Sequence, residues 1–315
     1  MSNQILSISS FKSFLLRVLL PFFVIISLVG FVFQLVFEKY IILNSNSCGA
    51  YKVNRLLTYN DPNETPIFGS SRAEFGFVPD TLGKDCFNYG LASTRYDVTT
   101  FFLEEECKKK RNKPYIIINY DYESLTYDIG DIANYLYNFD NKDVRELVGK
   151  NKKNYYNIPF IKYYGRYEVY FKFFLMDRRN PLKITDRGAS LYKKDLRPDE
   201  FNALVEQRKK KPSEFLHDSA LTQKLLRIIK NNPQRKFIFV VSPYHSSYFT
   251  IFEHYAEANK FLQELNAIPN VIFIDFGKKD YPDSMYLNTT HLNYKGAYKF
   301  SREIKDTLNK LGIQL

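Results

Sequence analysis

Apolar residues fall into two different patterns along this chain. Near the N-terminus Val18 to Phe37 is a run of 20 residues with no charge, interrupted only by the polar Ser27 and Gln34. At about 1.5 Å per residue it reaches roughly 30 Å, the thickness of a bilayer's hydrocarbon layer. Its apolar residues occupy every face, unlike those of a helix on a soluble core. Pro21 falls in the first turn, where proline costs least. The pattern predicts a transmembrane helix over 18–37, after an N-terminal segment 1–17 and before a polar stalk 38–64. No cleavage site of small residues follows the run, so an uncleaved anchor is expected.

From Thr65 onward short β-branched runs alternate with amphipathic stretches. Strands are predicted at Thr65 to Phe68, Lys84 to Tyr89, Pro114 to Ile118, Lys236 to Val241 and Val271 to Asp275. Helices are predicted at Thr94 to Lys110, Ser213 to Lys230, Ile251 to Leu265 and Asn293 to Leu311. Strands buried on both faces alternating with helices specify a mainly parallel sheet and right-handed crossovers. The expected fold is a flavodoxin-like three-layer α/β/α sandwich over 65–315. Residues 122–212 break the alternation and are rich in Tyr, Phe, Lys and Arg. They read as a mostly helical insertion lying over the site or toward the bilayer. Most of its rings would serve its own packing, and a few would meet sugars or lipid headgroups.

At 315 residues and 45% hydrophobic content the chain can bury a full core. Its net charge of +11 invites a nucleic-acid reading. The basic residues are scattered, however, and the dense runs Lys108–Arg111 and Arg208–Lys211 close predicted helices, where cations suit the dipole. No phosphate loop or RNA-binding motif appears, so nucleic acid is not an expected partner. A membrane surface or an anionic glycan accounts for the charge equally well. Lys12 and Arg17 before the apolar run favour a cytoplasmic N-terminus and a domain outside the cytoplasm. Cys48, Cys86 and Cys107 have no metal-ligand spacing. A pair between Cys86 and Cys107 would need strand and helix to be adjacent. His217 and His254 read as helix residues, and neither a cofactor nor a metal is expected.

Two motifs carry candidate chemistry. Gly69-Ser70-Ser71 follows the first strand, at the sheet edge where open α/β folds bind ligands. Ser71-x-x-Glu74 is equally a capping box, which needs no catalysis. His291 stands just before the last helix, where a plain polar residue would also serve. Taken together, Gly69-Ser70-Ser71, Asn88-Tyr89-Gly90 and His291-Leu292-Asn293 followed by Gly296 resemble the SGNH (GDSL-like) hydrolases over residues 65–312. The likeness is greatest to the membrane-anchored bacterial branch associated with acyl groups on cell-surface glycans.

That resemblance implies Ser71 as nucleophile, with the N–H groups of Ser71 and Gly90 holding an oxyanion; locally, Gly90 is equally a turn glycine. The family's third donor has no clear equivalent. Asn119 is the nearest substitute, unless Asp121 takes its place. His291 is implied as the base, and Asn288 stands where the family has an aspartate. Asp283 would replace that aspartate if its loop doubled back. Arg72, Tyr244 and His245 are candidate substrate contacts, the last two being turn fillers on the alternative reading. The implied partners are an acylated surface glycan, the membrane and a membrane-bound acyltransferase. The expected activity is a serine esterase or O-acyltransferase. The rival expectation is an impaired scaffold that binds glycan or partner proteins.

Overall fold

The computed structural model describes residues 8–315 apart from 123, 160, 181, 195–197, 210–215, 251, 253–254 and 280. His254 and the last two residues of the Arg208–Lys211 run therefore lie outside the described residues. Five parallel strands form the central sheet: β1 (Thr65–Phe68), β2 (Cys86–Asn88), β3 (Tyr115–Asn119), β4 (Lys236–Val241) and β5 (Val271–Asp275). Their order is β2-β1-β3-β4-β5, with Ile67 opposite Ile117 and Ile117 opposite Ile238.

The period-2 alternation of these strands builds the two faces. Phe68, Ile116, Ile118, Phe237 and Phe239 point into one core, while Ile67, Ile117, Ile238 and Val240 point into the other. On the first face pack α2 (Gly49–Thr58), α4 (Tyr96–Cys107), α6 (Ser219–Asn231) and α7 (Tyr255–Asn266), through residues such as Val53, Phe102, Leu225 and Leu262. On the second face lie α3 (Ser71–Gly76) and α8 (Tyr294–Lys310), through Ala73, Phe300, Ile304 and Leu308. This is the expected three-layer sandwich, and its topology reverses between β1 and β3.

The N-terminal apolar stretch is a continuous helix, Phe11–Ile42, whose most apolar window has a mean hydropathy of 2.5 and no buried residues. Its long α-helical part is α1 (Leu20–Phe37). The stalk expected at 38–64 is not a free linker. Ile42, Cys48, Ala50, Val53 and Leu56 join the main core, and Lys52 is fully buried. The polar composition of 43–52 concealed this, because its polar groups find partners far along the chain. The Ser45 hydroxyl donates to Asp177 (2.6 Å) and the Lys52 ammonium to the Gly90 carbonyl (2.5 Å).

The insertion is more mixed than expected. It contains α5 (Tyr167–Arg179), the shorter helices Lys142–Val148 and Pro198–Lys209, several 3-10 turns, and an antiparallel hairpin of Lys183–Asp186 with Ala189–Tyr192. The hairpin turn covers the sheet edge, with the Asn88 N–H donating to the Arg187 carbonyl. Leu216–His217 is a short strand rather than helix. The helix after it begins at Ser219 because the Asp218 carboxylate caps it, accepting from the Leu221 N–H (2.8 Å). Cys48, Cys86 and Cys107 are all free thiols, so the Cys86–Cys107 pairing is not formed. Burial pushes the first and last up to about 11 and Cys86 up to about 12.

Candidate active site

β1 is followed by Gly69, whose φ of +142° is open to glycine. A Cβ there would lie 2.9 Å from Ala73 Cβ and 3.0 Å from Asn119 Cβ. The turn lets α3 start against the end of the sheet. Ser70 is the N-cap, accepting from the Arg72 N–H (3.3 Å), so Ser71 is the first helical residue rather than the cap. The capping-box reading is overturned by this one-residue shift. Glu74 is also spent elsewhere: it accepts from the Ala92 N–H (2.8 Å) and lies 3.4 Å from Lys52 Nζ. The Ser71 hydroxyl is left facing the other end of the chain.

There the loop after β5 folds back on itself. Tyr286 and Leu292 form an antiparallel bridge, the Leu287 N–H donates to the His291 carbonyl, and Asn293 caps α8. The fold thus carries His291 to Ser71: Nε2 lies 2.7 Å from Ser71 Oγ, across 220 positions of sequence. On the other side of the ring, Nδ1 lies 3.0 Å from Asn288 Oδ1 and 3.1 Å from Thr290 Oγ1.

The orientation of Asn288 follows from its neighbours. The backbone N–H groups of Thr290 and His291 both point at the same side-chain atom, each at 2.9 Å. Two donors require an acceptor there, so that atom is the amide oxygen. His291 Nδ1 then carries the proton and donates to it. Nε2 keeps its lone pair and accepts from the Ser71 hydroxyl. Asp283 takes no part, because its carboxylate pairs with His245 Nε2 at 3.0 Å.

The two halves are tied together by Arg72, which is buried. Its guanidinium lies 3.1 Å from Asp121 (Nε to Oδ1), donates to the Thr290 carbonyl (2.9 Å) and the Ser242 carbonyl (2.5 Å), and sits 3.2 Å from the Tyr244 ring centroid. Asp121 also accepts from Ser70 Oγ (2.5 Å) and Asn119 Nδ2 (2.7 Å). Its charge therefore faces a guanidinium and two further donors instead of standing bare beside Ser71.

Four of the expected site residues have other partners. The Gly90 N–H donates to Asn88 Oδ1 (2.8 Å) and its carbonyl accepts from Lys52, so this residue braces the loop and has no N–H left for an oxyanion. Asn119 is buried, with its amide directed at Asp121. Tyr244 is buried under Arg72, and its hydroxyl accepts from the Tyr122 N–H (3.0 Å). His245 stacks on Phe201, with ring centroids 4.4 Å apart, and pairs with Asp283. Neither Tyr244 nor His245 lines the cavity at Ser71.

That cavity has a volume of about 340 Å³ and a polar lining, to which Ser71, His291, Ser93, Arg95, Asp121 and Asp128 contribute. Ser93, Thr94, Arg95 and Asp128 were not identified from sequence; the positive φ of Ser93 (+61°) has no sequence signature, and Arg95 reads as a helix-leading cation. A larger concavity, about 990 Å³, lies between α4 and α6 and is lined by a mixture of charged, neutral polar and apolar residues, with no nucleophile–base pair. Among the described residues no three His, Cys, Asp or Glu side chains converge as metal ligands.

No protein-family model matches this chain, and neither does any curated protein. It is similar to several solved structures. A Streptococcus pneumonia protein provisionally assigned as a platelet activating factor gives a TM-score of 0.42 at 9% identity, over 87% of this chain and 96% of that one. The family two carbohydrate esterase from Clostridium thermocellum, in complex with cellohexaose, gives 0.34 at 8% identity over 80% and 66%. The acetyl xylan esterase Est2A from the rumen bacterium Butyrivibrio proteoclasticus gives 0.29 at 11% identity over 79% and 64%.

Proposed function

We propose that this protein is a membrane-anchored SGNH-like serine esterase or O-acyltransferase acting on ester-linked acyl groups, acetyl in the simplest case, of a cell-surface polysaccharide. The observation that carries the reading is the Ser71–His291–Asn288 relay, with Ser71 Oγ 2.7 Å from His291 Nε2, which is placed to accept its proton. The polar cavity beside it suits a hydrated, hydroxyl-rich substrate with a short acyl group better than a fatty chain. The exposed apolar helix Phe11–Ile42 supports a single-pass anchor, with the α/β domain on the extracytoplasmic side.

In this mechanism His291 Nε2 takes the Ser71 proton as Oγ attacks the acyl carbonyl. The Ser71 N–H lies outside the helical ladder as the first helical residue, and serves as an oxyanion donor. Collapse of the tetrahedral intermediate breaks the ester C–O bond, and His291 returns the proton to the departing sugar oxygen. The acyl group then sits on Ser71. Water as the second nucleophile gives an esterase, and a sugar hydroxyl gives a transferase.

The test is hydrolysis of a chromogenic acetyl ester by the full chain in detergent, beside Ser71→Ala. Activity that survives the substitution undiminished sinks the mechanism. Asn288 in the aspartate position favours a second reading, a glycan-binding scaffold with little turnover. Failure of a serine-directed phosphonate to label Ser71, with acylated glycan still bound, selects that reading.

A further inference from the structure

We propose that α5 is an interfacial element that lies on the lipid headgroups and seats the domain against an anionic bilayer. This rests on the anchor reading of α1. The observation is where α5 joins the apolar helix. Tyr167 packs on both Phe33 and Phe37, with ring centroids 6.0 and 5.0 Å apart, and Phe171 packs on Phe37 at 5.4 Å. Phe33 and Phe37 belong to the last turn of the uncharged run, about 6 Å apart along the axis. Whatever touches both therefore lies at the level where that helix leaves the hydrocarbon.

The joint is fixed rather than incidental. Glu38, the first charge after the run, accepts from the Tyr163 hydroxyl (2.6 Å) and pairs with Lys162 (3.0 Å). Tyr170, on the inner side of α5, is buried in the domain core. The outer side is left apolar: Phe171 and Leu175, one helical turn apart, are 41% and 45% exposed, and Leu182 just beyond the helix is 55% exposed. Lys172, Arg178 and Arg179 are exposed around this stripe. Of the two acids on α5, Asp177 is turned inward to the Ser45 hydroxyl, which leaves Glu168 against three cations. An apolar stripe edged by cations, held at headgroup level, fits an anionic lipid surface.

The chain has no tryptophan, so single substitutions report one position each. Phe23→Trp, Phe171→Trp, Leu175→Trp and Leu311→Trp are each placed in the full chain in nanodiscs of phosphatidylglycerol and phosphatidylcholine, with or without brominated acyl chains. Phe23 should be quenched as a span residue. Phe171 and Leu175 should lose emission to bromines near the headgroup, with a blue shift on transfer from detergent. Leu311, exposed at the end of α8, should lose none. Quenching at Phe23 without quenching at Phe171 and Leu175 overturns the interfacial role and leaves the anchor standing. Absence of quenching at Phe23 overturns both, and equal quenching at Leu311 overturns the assignment to α5.

Discussion

Asn288 Oδ1 stands 3.0 Å from His291 Nδ1, held there by two backbone N–H groups that admit only an oxygen. An amide in this position usually brings the wrong imidazole tautomer, and in a serine protease such a change costs roughly 10⁴-fold in kcat. Here the locked oxygen fixes the productive tautomer. In the proposed mechanism, what is missing is negative charge to offset the imidazolium that would form as Ser71 attacks. Asn288→Asp keeps both backbone contacts and supplies that charge. The expected result is a gain in kcat/KM of about 10- to 100-fold, equivalent to roughly 1.4–2.8 kcal/mol of barrier. The acid limb of the pH profile should move to higher pH, since a carboxylate favours protonated His291. Steady-state kinetics of the two forms across the acid limb decide it, and a fall in kcat/KM would show that the amide itself is required.

Arg72 is the joint between the Ser71 helix and the His291 loop, through Asp121, the Thr290 carbonyl and the Ser242 carbonyl. Removing one member of a buried ion pair leaves the other uncompensated, at about 3–5 kcal/mol. Arg72→Met should lower the melting temperature and activity together. Asp121→Asn keeps the shape but leaves the Arg72 guanidinium with only its carbonyl partners, so it too should lower the melting temperature. A melting curve for each variant measures this; equal melting temperatures for Arg72→Met and the parent would refute the bracing role.

Much of the fold was legible because parallel strands buried on both faces leave unbroken apolar runs. Thr65–Phe68, Lys236–Val241 and Val271–Asp275 have the bounds the sequence suggests. Strand Cys86–Asn88 is shorter than the predicted Lys84 to Tyr89, as befits an edge closed by the Arg187 turn. The pairing of Ser71 with His291 was visible as a motif order. The choice between Ser70 and Ser71 as cap was not, because it is set by Gly69's positive φ and by Asp121 taking the Ser70 hydroxyl. Gly90 and His245 misled for a related reason. Their partners, Asn88 and Asp283, are ordinary polar residues whose engagement exists only once the loops are folded.

Asp186 gives the domain a pH signature away from the site. Burial pushes its carboxyl up to about 6 from an ordinary 3.8, against the lowering effect of the Asp80 N–H it accepts from. The folded form thus holds a proton that the unfolded chain has released. Stability from this group is fullest below about pH 4, falls as pH rises through that window, and is at its lowest above about pH 6. Asp186→Asn should flatten the slope and raise stability at neutral pH by on the order of 1–3 kcal/mol. Thermal melting of both forms on either side of the window measures it. An unchanged slope would show that the carboxyl titrates normally.

Arg95 lines the cavity beside Ser71 and, among the described residues, has no carboxylate within ion-pair distance. The other cation there, Arg72, is already matched by Asp121. Asp128 shares the cavity with its charge intact, its Oδ1 accepting from the Gly130 N–H at 2.9 Å, but it forms no ion pair with Arg95. A substrate with an anionic sugar next to the acylated one would therefore meet a guanidinium ready to pair with it. Charge-assisted hydrogen bonds are worth roughly 1.5–3 kcal/mol, so Arg95→Gln should raise KM for an acetylated uronic acid polymer by about 10- to 100-fold. Its kcat should change little, and hydrolysis of a small neutral acetyl ester should be nearly untouched, because Arg95 lies outside the Ser71–His291–Asn288 relay. Equal loss on the charged polymer and the neutral ester would mean that Arg95 shapes the cavity rather than reading the charge of its occupant.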